Sequence, residues 1–241
     1  MANRSKHKRP SSKADCGLKD QGTSSQVAIV QKDVDPRHCG LLDAVKRGWY
    51  QLDTGELFTG FRITKDDVVL DFGCGEGNAV LFCARQGAHV VFTDVDEAKI
   101  KALIEKIKRT SARKVESFVS DALPLPLTDE YATKILATEV LEHTTEPEKI
   151  MEELVRVGRP GARYFLTVPD SRSEMLQKPF ADPVYFTRPN HIQIFDKERF
   201  VRLVENSGLK VERYETWGFY WTFFMSLFWL VHQKGDLQGA V

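Results

Sequence analysis

Val68-Val69-Leu70-Asp71-Phe72-Gly73-Cys74-Gly75-Glu76-Gly77 is a short apolar run that closes in an acid and then in a glycine-rich turn. The β-branched start reads as a buried strand. Glycine lets the backbone turn sharply and approach a ligand closely. The helix expected from about Asn78 would direct unpaired N–H groups and positive dipole toward bound negative charge. The stretch therefore predicts a site for a nucleotide-like cofactor, although glycine-rich turns also join strands to helices where no ligand binds. Spacing narrows the choice. A dinucleotide fingerprint runs G-x-G-x-x-G or ends in Ala; here the third glycine, Gly77, comes one residue early and Asn78 stands in its place. Asp71 at the strand end is a better neighbour for a cofactor that carries an amino group and a sulfonium.

Working outward, His89-Val90-Val91-Phe92-Thr93 reads as a second buried strand with Asp94 at its end, about twenty residues after the glycine turn, where such folds bind ribose hydroxyls. Val115 to Val119 reads as a third strand that ends at Ser120-Asp121-Ala122. Tyr131 to Thr138 reads as a fourth that ends in Glu139-Val140-Leu141-Glu142-His143. A single strand-end acid is most simply a cap or a solvated group, whereas four polar strand ends in succession point to a shared crevice. Helices are expected from Asn78, Glu97 and Pro147, the last a residue suited to a first helical position, with Gly87 and Gly161 where helices stop or turn. Repeated βα units predict an α/β fold, a doubly wound and mainly parallel sheet with helices on both faces and its ligand crevice at the strands' carboxyl ends.

With these stretches in order, the chain resembles the class I S-adenosylmethionine-dependent methyltransferases, in particular the small-molecule group that includes the ubiquinone-biosynthesis O-methyltransferases. The matching pieces lie between Leu41 and Trp217: VLDFGCGEG at 69–77, VVFTDVD at 90–96, SDALPLPLTDEYATKILATEVLEH at 120–143, EELVRVGRPGARYFLTVP at 152–169 and RPNHIQIFDKERFVRLVENSGLKV at 188–211. One departure is Gly161-Ala162, where the family usually has two glycines. The resemblance implies a Rossmann-like sheet and S-adenosyl-L-methionine as cofactor. It implies that Gly73, Cys74 and Gly75 line the methionine and ribose, and that Asp71 holds the turn and the amino end. Asp94 would bind the ribose hydroxyls, Val95 would pack on adenine, and Asp121 with the Ala122 backbone would read its edge. Glu139 would brace the cofactor.

Methyl transfer needs an acceptor held in line with the methyl group, and an oxygen acceptor must also lose a proton. A histidine of near-neutral pKa suits that task. His143, after the fourth strand, and His191, in the segment before the helix near Lys197, are the candidate catalytic residues; each is equally readable as a plain hydrogen-bonding group. Glu139, Glu142 and His143 form an E-x-x-E-H pattern that in the ubiquinone-type enzymes is associated with a divalent ion. Oxygen and imidazole donors would suit magnesium, manganese or zinc, but the metal-free reading is preferred. Segment 170–195 is the expected acceptor loop, with Phe180, Tyr185, Phe186 and Arg188 to pack a small molecule or simply a lid.

The 241 residues, 42% hydrophobic and 28% charged, suit one compact core with polar tails. We expect a basic, polar tail over residues 1–26, a cap region over 27–61, the cofactor-binding domain over 62–216 and an aromatic segment over 217–241. Apolar residues of Leu41 to Phe61 fall near helical spacing, which predicts a helical cap where Trp49 and Tyr50 serve as core or touch substrate. A formal charge of zero, and Thr138-Glu139-Val140-Leu141 where amino-methylating nucleic-acid enzymes carry N/D-P-P-Y/F, disfavour a nucleic-acid partner. Cys16, Cys39, Cys74 and Cys83 lack C-x-x-C spacing, and residues 1–13 resemble no secretory signal, so a cytoplasmic setting is expected.

Three functions from different classes stay open at this point. These are a small-molecule methyltransferase acting on a small, lipophilic acceptor at oxygen, an NAD(P)-dependent reductase, and a non-catalytic cofactor-binding protein that acts through a partner. Glycine spacing and the lack of a Tyr-x-x-x-Lys pair disfavour the reductase. Trp217 to Val231, WGFYWTFFMSLFWLV, would make a helix of about 22 Å, short of a hydrocarbon core of about 30 Å. With Gly218, Thr222 and Ser226 as one small-residue stripe, it reads as a buried strand and helix, as the wall of an acceptor pocket, or as a surface for peripheral membrane contact or a homodimer. Leu209, Val211 and Tyr214 just upstream read as the start of a final strand.

Overall fold

The computed structural model describes residues 36–120 and 123–231. The chain divides into Met1–His38 and Cys39–Val241, and of the first unit only the opening turn of helix α1 is described. The expected tail over residues 1–26 and the two residues Asp121 and Ala122 lie outside the described residues. The elements run α1 (Pro36–Lys46), β1 (Trp49–Gln51), β2 (Glu56–Phe58), β3 (Phe61–Arg62), β4 (Val68–Phe72), α2 (Asn78–Arg85), β5 (His89–Asp94), α3 (Glu97–Ile107) and β6 (Lys114–Val119). They continue with β7 (Ala132–Thr138), α4 (Pro147–Val157), β8 (Gly158–Thr167), α5 (Ser171–Gln177), α6 (Lys197–Asn206) and α7 (Phe219–Val231).

Strands β4 to β8 form a five-stranded sheet in the order β6-β5-β4-β7-β8, parallel throughout. The order reverses between β4 and β7, which opens a crevice at their carboxyl ends. All five residues of β4 are buried, as expected of a central strand covered on both faces. Alternation assigns the faces: Val69 joins the core that holds Phe82, Phe92 and Leu103, while Val68, Leu70 and Phe72 join the core of Ile135, Met151 and Leu154.

Local chemistry explains the helix boundaries. Asp96 caps α3 by accepting hydrogen bonds from the N–H groups of Ala98 and Lys99 at 2.8 and 3.1 Å, and Ile100, Leu103 and Ile107 bury one face. Pro147 opens α4, and Ile150, Met151, Leu154 and Val157 recur at helical spacing toward the sheet. Each such aliphatic side chain contributes about 1.5–3 kcal/mol by leaving water.

Three expectations are corrected. The helix expected across Leu41 to Phe61 ends at Lys46, and an antiparallel meander of β1, β2 and β3 follows. Gly48, Gly55 and Gly60 adopt φ of 101°, 72° and 85°, left-handed positions that turn the chain where a helix would otherwise continue. Trp49 is core: it is 4% exposed and packs edge-on against Phe165 at 5.0 Å. The closing strand expected from Leu209 is also absent, and β8 is the edge of the described sheet. Leu209 and Val211 still pack on the core. Their stretch is held through side chains instead of a ladder, with Arg213 donating to the Thr59 carbonyl at 2.6 Å and Arg163 to Glu212 at 3.2 Å.

The aromatic segment is a helix, α7, in which Trp229 is the buried residue, so the buried strand and helix reading does not hold. Thr222 of α7 meets α5, its hydroxyl 2.6 Å from that of Ser173.

Gly77, at φ 78°, precedes α2, and a Cβ there would lie 2.4 Å from the Leu103 methyls. Gly77→Ala is therefore expected to lower stability by about 2–4 kcal/mol through backbone strain plus overpacking. Gly208→Ala, at φ 88° with nothing within 4 Å of the added Cβ, should cost only about 1–2 kcal/mol. Urea unfolding midpoints of the two variants measure the difference.

Candidate cofactor and acceptor site

Asp71 is the penultimate residue of β4, inside the sheet. It is 2% exposed, and one of its carboxylate oxygens has no hydrogen-bond partner. Burial, and secondarily the charge of Asp94, raise its pKa to about 7. A buried acid with an unused oxygen beside a crevice is suited to a cationic ligand group.

The glycine turn lies directly after it. Gly73 packs so closely on the segment after β7 that a Cβ would fall 2.6 Å from Val140. At Gly75, φ 52°, a Cβ would meet nothing within 4 Å, so the turn leaves open space on that side. The Cys74 amide donates to the Thr93 carbonyl at 2.8 Å, and burial pushes the Cys74 thiol well up, which keeps it neutral. Asp94 ties the turn to β5: its Oδ2 accepts from the Gly75 N–H at 2.8 Å and its Oδ1 from the Asp96 N–H at 3.0 Å. Val95, next to it, is 67% exposed, an uncovered apolar side chain beside an acid. Asp71, Gly73, Cys74, Gly75, Asp94 and Val95 are thus brought together around one turn.

Tyr50 approaches the same place from β1. Its backbone has φ 51°, strained for a residue with a Cβ, and burial with the Asp71 charge beside it pushes its phenol well up.

A second group gathers after β7. Glu139, also at positive φ (56°), lies exposed at the lip, with its carboxylate accepting from the Thr167 hydroxyl at 2.7 Å. Leu141–His143 form one 3-10 turn. Glu142 is fully buried, neither carboxylate oxygen has a hydrogen-bond partner, and burial raises its pKa to about 9. His143 donates from Nδ1 to the Pro189 carbonyl at 3.0 Å, which leaves Nε2 facing Glu142 at 3.7 Å.

His191 comes from the distant loop and packs edge-on to His143, ring centroids 4.9 Å apart. Its Nδ1 lies 2.7 Å from the Glu174 carboxylate, itself 2% exposed. With Nδ1 engaged, Nε2 is the ring atom available to a ligand. Tyr185 covers the His191 ring at 4.4 Å.

The two candidate histidines therefore meet. Donor atoms of Glu142, His143 and His191 lie within 4.8 Å of one another, whereas Glu139 is not part of that cluster. Glu174 escapes a sequence reading because it lies mid-helix in α5, outside every motif; only its placement against His191 marks it.

A family model described as a methyltransferase domain matches residues 47–214. The methyltransferase GfsG of Streptomyces halstedii is 30% identical over 112 residues, 46% of this chain and 40% of that protein. The ubiquinone biosynthesis O-methyltransferase of Aeromonas salmonicida is 27% identical over 127 residues, 52% of this chain and 50% of that protein. The matches span about half or less of those relatives' lengths. A solved SAM dependent methyltransferase from Aquifex aeolicus shares the fold with a TM-score of 0.55 at 22% identity, over 77% of this chain and 94% of that one. The parallel sheet, the glycine turn at its switch point and a family match over most of the chain agree: the chain belongs to the methyltransferase-domain family and has the fold of the class I S-adenosylmethionine-dependent enzymes.

Proposed function

We propose that this protein transfers a methyl group from S-adenosylmethionine to an oxygen of a small, lipophilic acceptor. The observation that carries the cofactor reading is the buried Asp71 carboxylate with its unused oxygen, set under a turn that leaves Gly75 uncovered. S-adenosylmethionine, when bound, supplies an electrophilic methyl on a cationic sulfur. Asp71 would hold its amino group, the Gly73 to Gly75 backbone its methionine and ribose, Asp94 the ribose hydroxyls, and Val95, Asp121 and Ala122 the adenine. Glu139, anchored to Thr167, would brace the lip.

Two observations support the oxygen acceptor. His191 has its Nδ1 held by Glu174, so Nε2 would take the acceptor proton as the oxygen lone pair attacks the methyl carbon and the carbon–sulfur bond breaks. His143, pinned to Pro189, would position the acceptor. Tyr185 and Phe186, half-buried, offer an aromatic wall suited to a lipophilic molecule.

A pH dependence follows from Asp71. A cationic cofactor binds the ionised carboxylate, whose pKa in the free protein is about 7, so binding releases a proton and strengthens as pH rises through that value. Titration calorimetry in buffers of different ionisation enthalpy should detect this release, with Asp71→Asn removing both the proton and the pH dependence. Equal proton counts in wild type and variant would take Asp71 out of the site.

His191→Ala should lower kcat for labelled-methyl transfer by about 100-fold or more while S-adenosylmethionine affinity stays within about twofold, as for a group used in the transition state. Cofactor binding with no transfer to any acceptor in a lipid extract would instead favour a cofactor-binding protein that acts through a partner.

The converging donors of Glu142, His143 and His191 favour a second reading. Both histidines have their other ring nitrogen engaged, the arrangement common in metal ligands, and the two unpartnered Glu142 oxygens suit a cation. A divalent ion there would orient an acceptor with neighbouring hydroxyls. Under the metal-free reading, dialysis against a chelator leaves activity within about twofold, because the base is His191 itself. A loss restored by magnesium, manganese or zinc would make His191 a ligand and not the base.

A further inference from the structure

Exposed large apolar side chains gather on two packed segments. Met175, Leu176, Phe180 and Val184 lie on α5 and the loop after it, and Phe219, Phe223, Leu227 and Leu230 form one stripe along α7, with Phe219 76% and Phe223 57% exposed. The segments are joined by the Ser173–Thr222 contact at 2.6 Å, the Trp229 indole donating to Gln177 at 3.3 Å, and the Tyr185 and Trp229 rings 5.4 Å apart.

Charge distinguishes the occupants of this surface. Residues 217–231 contain no Asp, Glu, Lys or Arg, and the exposed charged residues of 171–190 are Arg172, Lys178 and Arg188, all cationic. The acids there are turned to other tasks: Glu174 is buried against His191, and Asp182 caps the turn at Pro183–Phe186 by accepting from the Val184 N–H at 2.9 Å. An apolar, aromatic face bordered by positive charge matches the interface of an anionic bilayer. A symmetric pairing with a second copy would bring together two surfaces whose exposed charges over 171–190 are all cationic, with no exposed acid from that segment to pair with them. No described helix is long and apolar enough to cross a membrane, and α7, with 13 residues, reaches only about 20 Å, so it would lie in the interface plane.

We infer that α7 and the α5 to Phe186 segment together form a peripheral docking surface for anionic lipid. Tyr185 packs on His191 on one side, ring centroids 4.4 Å apart, and meets Trp229 edge-on on the other, so the docked face adjoins the acceptor side of the site. Docking rests on these surface residues alone; its consequence, delivery of a lipophilic acceptor from the bilayer, rests on the function proposed above.

The test is co-sedimentation of the full chain with vesicles, which requires neither acceptor nor transfer and so separates this inference from the proposed activity. The chain should pellet with phosphatidylglycerol-containing vesicles and at least about tenfold less with phosphatidylcholine alone, with the bound fraction falling at high salt. Arg172→Glu with Lys178→Glu, and separately Phe223→Ser with Leu227→Ser, should each reduce partitioning at least about tenfold while the thermal unfolding midpoint and S-adenosylmethionine affinity stay unchanged. Wild-type protein that stays in the supernatant with anionic vesicles at low salt overturns the inference. So does a dimer in light scattering that the Phe223→Ser, Leu227→Ser variant converts to monomer without any wild-type vesicle binding, an outcome that assigns the face to a second copy.

Discussion

Asp71 holds a carboxylate inside the sheet, and the rest of the site is arranged around that one costly placement. An acid this buried resists ionisation unless it is partnered, and the oxygen left without a hydrogen bond is where the cost is carried. Its pKa in the fold is about 7, above the ordinary value of 3.8. The unfolded chain therefore loses its proton first, and the fold loses stability as pH climbs between those values, by about 1.4 kcal/mol for each pH unit crossed. A ligand cation would reverse the sign of that contribution, which couples cofactor occupancy to stability. The placement depends in turn on β4 being the central strand: its neighbours β5 and β7 align Phe92 and Leu136 beside Asp71, and both faces of the sheet are covered.

The same economy runs through the acceptor side. Glu142 is buried with both oxygens unpartnered, and Glu174 is buried with one oxygen engaged by His191 and the other free of protein partners. Tyr50 and Glu139 have positive φ. Buried unsatisfied acids and strained non-glycine residues are expensive; Asp71, Glu142, Glu174, Tyr50 and Glu139 belong to the site described above, whereas Glu130, at φ 55° before β7, and Asp43, with an unpartnered oxygen on α1, do not. This clustering agrees with a ligand that supplies the missing partners.

Parts of the chain were readable directly. Asn78, Glu97 and Pro147 each begin a helix as expected, because capping and helical spacing are encoded within a few residues. The strand ends at Asp71 and Asp94 were equally plain, since an apolar run closing in an acid and glycines is a local pattern. Reading failed where local patterns compete. The apolar residues of Leu41 to Phe61 fit a helix as well as a meander, and left-handed glycines decided for the meander. The stretch from Leu209 looks like a strand by alternation, yet its charged side chains bond across to Thr59 and Arg163 and no ladder forms.

The amino-acid sequence by itself determined the order of strands and helices from β4 to α4, the glycine turn and the acids near the ends of β4 and β5, because short-range periodicity and backbone preference specify them. Only the tertiary structure decided that Asp94 would bond the Gly75 amide 19 residues away, that Glu174 would hold His191 across 17 residues, and that His143 would reach Pro189 across 46. Those contacts join separate loops, and loop geometry follows from how the sheet and helices pack, not from the residues adjacent in the chain.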